Sequence, residues 1–146
     1  MKKLPILLIF ILMFSLLAPI NVQATNQYEK ETIFFSDGSY IISEITVIQF
    51  RAGSAIGGNR HYDYYDANNV KQWRATVTGT FTYNGTTATC TAVSTNFVRY
   101  TTTWTLDSVS KSKSGATAIG DFYLSCSAWE TSVRVQLTCD KNGNWS

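Results

Sequence analysis

His61, the only histidine of the chain, stands close to Asp63 and Asp66 in "HYDYYD". A histidine and two carboxylates can carry general acid–base catalysis if they converge on one reacting atom. Their spacing argues against convergence. Asp63 and Asp66 lie three apart about a turn, where such residues close the backbone by accepting its N–H groups. His61 follows a glycine-rich stretch and is expected to be an exposed strand-edge residue. "GSAIG" at Gly53 to Gly57 is not the Gly-x-Ser-x-Gly elbow of a hydrolase, because Ser54 comes one place early and no helical pattern follows. The three cysteines and His61 lack the paired spacing of a structural zinc site. "DKNGNW" sets Asp140, Asn142 and Asn144 at alternate positions like a calcium loop, but its glycine is fourth rather than sixth and no twelfth-position Glu follows. A turn is expected there. The reading is therefore of a non-enzyme with no metal and no cofactor.

Aromatic rings offer the other chemistry. Tyr62, Tyr64, Tyr65, Tyr123, Trp129 and Trp145 exceed what the inward faces of a small sheet require. Rings on a rigid sheet or loop present flat contact area at low entropic cost, suited to sugar rings or partner proteins. These six are the candidate ligand-binding residues. The competing account is that they cover the ends of the sheets.

The elements that must position them are strands. "TVTGTFTYNGTTATCTA", Thr76 to Ala92, alternates Thr with apolar or small residues about Asn84-Gly85. Period-two alternation predicts a half-buried antiparallel hairpin. A two-residue Asn-Gly turn would pair Tyr83 with Thr86, Phe81 with Ala88, Gly79 with Cys90 and Val77 with Ala92, all facing inward with Trp73 and Ala75. Thr76, Thr78, Thr80, Thr82, Thr87, Thr89 and Thr91 then form the wet face. Elsewhere, "FFSDGSY" predicts a turn at Ser36-Asp37-Gly38, and Tyr40 to Phe50 reads as a central strand covered on both sides. "RAGSAIGGNR" and "SVSKSKSG" read as loops, and Thr25 to Thr32 as a flexible lead-in. "HYDYYDANNVKQW" is strand, turn at Asp66 to Asn69, strand. Inward rows are expected at Val98, Tyr100, Trp104 and Leu106, at Ala116 to Cys126, and at Val133, Val135, Leu137 and Cys139. The sum is an all-β chain of about seven strands, a small antiparallel sandwich or partly open barrel.

Two lysines, an apolar run from Leu4 to Leu17, and Val22-Gln23-Ala24 give the three-part layout of a secretory signal. Residues 1–24 are read as the signal peptide and 25–146 as a single secreted domain without a stable membrane anchor. Setting Lys2 and Lys3 aside leaves ten basic residues of the twelve, against ten acidic ones. No basic run remains, so nucleic acid is not an expected partner. The odd cysteine count suggests one disulfide. A hairpin about Ala128 to Glu130 would set Cys126 opposite Val133 and Cys139 near Gly120, about 20 Å away at strand rise. That leaves Cys90 with Cys139 or Cys90 with Cys126.

"DGSYII", "YDYYDANNVKQWRATVTGTFTYNGTTATC", "SKSKSG" and "LTCDKNGNWS" together resemble a family of small secreted proteins of Gram-positive, Clostridium-like bacteria, to which no activity is attached. The resemblance spans nearly all of residues 25–146. It implies that Cys90 and Cys139 are the bonded pair and Cys126 an extra thiol. Asn69 stands where that family tends to have Gly, and Asn tolerates the left-handed conformation such a turn needs. The expected function is a secreted, non-catalytic binding module meeting a glycan or a protein at a cell surface through exposed aromatics. The alternative is a membrane-active or structural protein, in which amphipathic Thr-rich hairpins insert as a barrel.

Overall fold

A computed structural model describes residues 29–49 and 55–146, and every regular element among them is a strand. The expected signal peptide, residues 25–28 of the lead-in and residues 50–54 lie outside the described residues. In chain order the strands are β1 (Glu29–Phe34), β2 (Tyr40–Gln49), β3 (Ala55–Tyr65), β4 (Lys71–Tyr83), β5 (Ala88–Arg99), β6 (Thr105–Ser114), β7 (Thr117–Ser125) and β8 (Glu130–Thr138). They form a five-stranded sheet, β1 to β5, and a three-stranded sheet, β6 to β8, each antiparallel between sequence neighbours. The sheets do not close into a barrel. The chain is an all-β sandwich.

The core lies where the inner faces of β4 and β7 meet. Val77 and Phe81 of β4 and Ala118, Phe122 and Leu124 of β7 are essentially inaccessible, as are Val135 and Leu137 of β8. Two glycines allow the close approach. A Cβ on Gly120 would lie 2.5 Å from Val77 Cγ2, and one on Gly79 would lie 2.4 Å from Phe81 Cε2. The turns follow their residue types. Gly38 (φ 85°) and Gly143 (φ 86°) take positive φ, and Asn69 adopts it without being glycine (φ 63°). Asp66 Oδ1 accepts the N–H groups of Asn68 and Val70, so this carboxylate closes its turn as expected.

Several expectations are corrected. β1 occupies much of the supposed lead-in, β3 begins at Ala55 inside the supposed glycine loop, and "SVSKSKS" belongs to the exposed edge strand β6. Among the described residues the strands therefore number eight. β2 lies between β1 and β3, yet only its inner face is covered: Ile41 and Ile45 are buried while Ile48 is exposed. The Asn84 turn is longer than two residues. Asn84 Oδ1 accepts the N–H groups of both Thr86 and Thr87, and Tyr83 pairs with Ala88. Phe81, not Gly79, thus faces Cys90. A bulge then follows, because Thr80 pairs with Ala92 and leaves Thr91 extra. Beyond it the inward parity of β5 switches. Val93 and Phe97 pack on the core, while Ala92, Val98 and Tyr100 are exposed. The β7–β8 turn also comes earlier than expected, between Ser125 and Glu130. Phe122 rather than Cys126 faces Val133, and the Cys126 N–H donates to the Trp129 carbonyl.

Candidate binding cleft

Strand direction decides which rings meet. Near the end of β3 and the start of β4, Tyr64 and Trp73 are directly paired across the strands, both on the inner face. Their rings stack at 5.2 Å between centroids. Trp104, just before β6, meets Tyr64 edge-on at 5.8 Å and 86°. Trp129, on the β7–β8 turn of the other sheet, meets Trp104 at 5.6 Å and 67°. With Phe35 and Ile41 these rings line a cleft of about 310 Å³ at one end of the sandwich. Its polar rim is Ser36, Asp37, Ser39 and Thr131. The inner rings are buried, whereas Trp129 is 53% and Phe35 45% exposed. Such an arrangement has the size and apolar lining of a small-ligand site with few polar groups.

The rim carboxylate is prepared. Asp37 Oδ1 accepts from the Ser39 hydroxyl at 2.6 Å and from its backbone N–H at 3.0 Å. The Ser39 hydroxyl, and after it the Ser39 N–H, holds the Asp37 carboxyl below its ordinary value, so it is ionised at neutral pH. Trp73 Nε1 is buried without a hydrogen-bond partner among the described residues and offers no surface to the cleft.

The six sequence candidates separate. Tyr64 and Trp129 line the cleft. Trp145, expected to be available to a ligand, is 9% exposed at the far end, against Phe81 at 5.2 Å. Tyr64 is itself buried in the cleft wall, and Tyr62 packs partly buried on the core with the Arg60 guanidinium 5.7 Å from its ring centre. Tyr65 lies on the outer face with no ring face to spare. Tyr40 stacks on it at 4.9 Å and 6°, and the Lys71 ammonium lies 6.0 Å from its centre. Tyr123 is exposed alone on the three-stranded sheet beside Asp107 and Glu130. Trp73, Trp104, Phe35 and Asp37 were missed as site residues. The first two read correctly as inward-facing, and an inward ring at a strand end next to a turn is the signal for a sandwich mouth.

A second group of titratable side chains sits on the outer face of the five-stranded sheet, where Glu44, His61 and Thr76 are cross-strand neighbours. His61 is not an exposed edge residue. It is 8% exposed on β3, which is flanked by β2 and β4. Its Nε2 lies 3.7 Å from Glu44 Oε2 and 4.0 Å from Asp63 Oδ2, and it lacks a hydrogen-bond partner among the described residues. Burial first, and then the Arg74 charge, push the imidazole below its usual value, against the pull of the two carboxylates. Burial alone would raise Asp63. The hydrogen bonds and charges of Arg74 and Lys71 outweigh it and hold the carboxyl low. Arg74 binds both Asp63 oxygens at 2.6 Å, and Lys71 reaches Oδ2 at 2.8 Å. A carboxylate so engaged orients its neighbours and is a poor proton acceptor.

Cys90, Cys126 and Cys139 are free thiols in the structure, Cys90 and Cys139 buried and Cys126 half-buried. The backbone brings Cys90 and Cys139 together: their N–H groups donate to the consecutive carbonyls of Gly115 and Ala116. Burial raises both thiols, Cys139 to about 11. Compared with known protein families, curated proteins and solved structures, the chain matches none.

Proposed function

We propose that this protein is an exported, non-catalytic binding domain that receives its ligand in the aromatic cleft between the β1–β2 and β7–β8 turns. One observation carries the reading: rings from both sheets converge on a single opening, and the two at its mouth, Phe35 and Trp129, are left half-exposed. A Trp on a turn with half its surface in water gives the sandwich only part of its packing value, whereas a ligand that covers it gains further apolar contact. Export is supported by Lys2, Lys3, the apolar run after them and the small residues before Thr25. The absence of catalysis is supported by the engagement of both Asp63 oxygens with Arg74 and Lys71. Kinship with the Gram-positive secreted family is part of the same proposal.

The test is capture. Immobilised protein is exposed to soluble cell-wall fragments, host glycans and peptides, alongside its Trp129→Ala and Tyr123→Ala variants. Trp129→Ala loses the captured ligand and Tyr123→Ala keeps it. Equal capture by Trp129→Ala and the unaltered protein would overturn the cleft as the site. Export is tested separately by the N-terminal residue of protein from the culture medium, expected to be Thr25.

A further inference from the structure

The walls of the cleft constrain what can fill it. A sugar ring needs a ring face lying flat beneath it and several polar partners around its edge. Here the rings stand at steep angles, Tyr64 to Trp104 at 86° and Trp104 to Trp129 at 67°, which makes a corner rather than a platform. A group tucked into such a corner is met by π-systems from more than one direction, and those faces are electronegative. Among the described residues that line the cleft Asp37 is the only carboxylate, and no Lys, Arg or His is among them. Both hydrogen bonds from Ser39 fall on Asp37 Oδ1, which leaves Oδ2 for a ligand.

Resting on the reading of this cleft as the binding site, we infer that its ligand is an organic cation with apolar substituents on nitrogen, a quaternary ammonium of the choline type. A trialkylammonium group carries diffuse positive charge inside a methyl shell. Its methyls suit the apolar walls, its charge suits the ring faces, and neither demands the hydrogen bonds that the cleft is short of. A primary ammonium is a worse fit, because its three N–H donors need acceptors and the floor offers rings. A plain alkyl group fits the shape but leaves the rings and Asp37 without a counter-charge. Asp37 is exposed, so its contribution is modest and screened by salt, while attraction to the rings persists at high salt.

The experiment compares choline and tetramethylammonium with the uncharged tert-butyl analogue of choline, in which carbon replaces nitrogen. Binding to the purified protein is measured by calorimetry and by the shifts of the Trp indole N–H resonances. Choline is expected to bind about tenfold more tightly than the uncharged analogue, in line with a largely desolvated cation on aromatic faces. Trp129→Ala should weaken choline about tenfold and Trp129→Phe should restore part of the loss. Asp37→Asn should weaken choline about threefold at low salt and leave the uncharged analogue unchanged. Equal affinity for the charged and uncharged compounds overturns the inference, as does a lack of saturable cation binding. If a sugar or the tert-butyl compound binds at least as tightly as choline and loses affinity in Trp129→Ala, the cleft stands as the binding site and the cation falls. If Trp129→Ala binds every ligand unchanged, both fall. Melting curves of the variants, expected to be close to that of the unaltered protein, separate lost binding from lost folding.

Discussion

At one end of the sandwich Trp145 is 9% exposed, and at the other Trp129 is 53% exposed. Trp73 and Phe81, which mark the two ends on β4, are eight residues apart, roughly 26 Å at strand rise. Both tryptophans belong to turn or tail segments beside β8, and both meet another ring edge-on, Phe81 for one and Trp104 for the other. What separates them is backbone. Trp145 bridges to Cys139, and the next residue, Ser146, exchanges two hydrogen bonds with Thr138, at 2.7 and 3.0 Å. Gly58 opens the space its ring fills, since a Cβ there would lie 2.9 Å from Trp145 Cη2. Trp129 has no such ladder around it; the Cys126 N–H takes its carbonyl across a short turn and the side chain projects. A ring becomes core where main-chain pairing pins it over a glycine, and becomes surface for a ligand where it hangs from a turn.

The largest break in this comparison should come from the pinned ring. Trp145→Ala is expected to cost about 3–5 kcal/mol, as removal of a buried Trp typically does, read as a lower denaturation midpoint. Gly58→Ala should reproduce part of it by displacing the same ring. An unchanged midpoint in both would show that the Trp145 end is not the better-packed one.

Oxidation sharpens the same end. A Cys90–Cys139 bond closes a loop of about 50 residues, for which chain entropy gives roughly 4 kcal/mol before strain is subtracted. Reductant should then lower the melting temperature of protein taken from the culture medium, and Cys126→Ala should matter far less. Peptide mapping without reductant decides it, and a Cys90–Cys126 peptide would contradict the pairing.

The pH limits should divide between the Trp145 end and the outer face of the five-stranded sheet. In the reduced protein, burial raises Cys139 from 9.0 to about 11. The unfolded thiol ionises first, so this contribution is present below pH 9 and is lost as pH rises towards 11. His61 and Asp63 are both lowered in the folded state. Their contribution is present above the unfolded values and is lost as pH falls, beginning below 6.5 for His61 and below 3.8 for Asp63. Thermal melts across pH should show His61→Gln removing the first acid step and Cys139→Ala removing the alkaline one.

The smallest stability effect belongs to the open end. Trp129→Ala should change stability by about 1 kcal/mol or less, as exposed substitutions do. A loss comparable to that of Trp145→Ala would make Trp129 a core residue and leave the cleft without its mouth.

The sandwich was legible because alternation survives in single strands: Val77 and Phe81, Phe122 and Leu124, Val135 and Leu137 all face inward as their parity requires. Register was less legible, since it depends on turn length and bulges. Asn84 closes a longer turn than its Asn-Gly pair suggests, and the extra Thr91 switches β5, so Phe97 replaced Val98 in the core. Glycine misled in "AIGGN", where Gly58 serves a ring over a strand rather than a loop. The cleft was half legible. Trp129 stood out as surplus, but its partners Trp73 and Trp104 looked like ordinary core, because only the fold brings three distant segments to one end. His61 was misplaced because outer-face residues can also be buried, by long neighbours such as Glu44 and Arg74.

The pairing of Ser146 with Thr138 has a consequence for association. Odd-numbered residues of β8 direct their N–H groups towards β7, as Cys139 does to the strand's neighbour Ala116, so the even-numbered ones face the free edge. Along that edge Thr138 is occupied by Ser146, and the Gln136 carbonyl accepts from Arg60 at 3.3 Å. The tail therefore acts as a stopper on a row of donors and acceptors that could otherwise template a strand from another molecule. Removing Trp145 and Ser146 would empty the space over Gly58 and also uncork that edge, leaving the sheet as a seed for edge-to-edge aggregation.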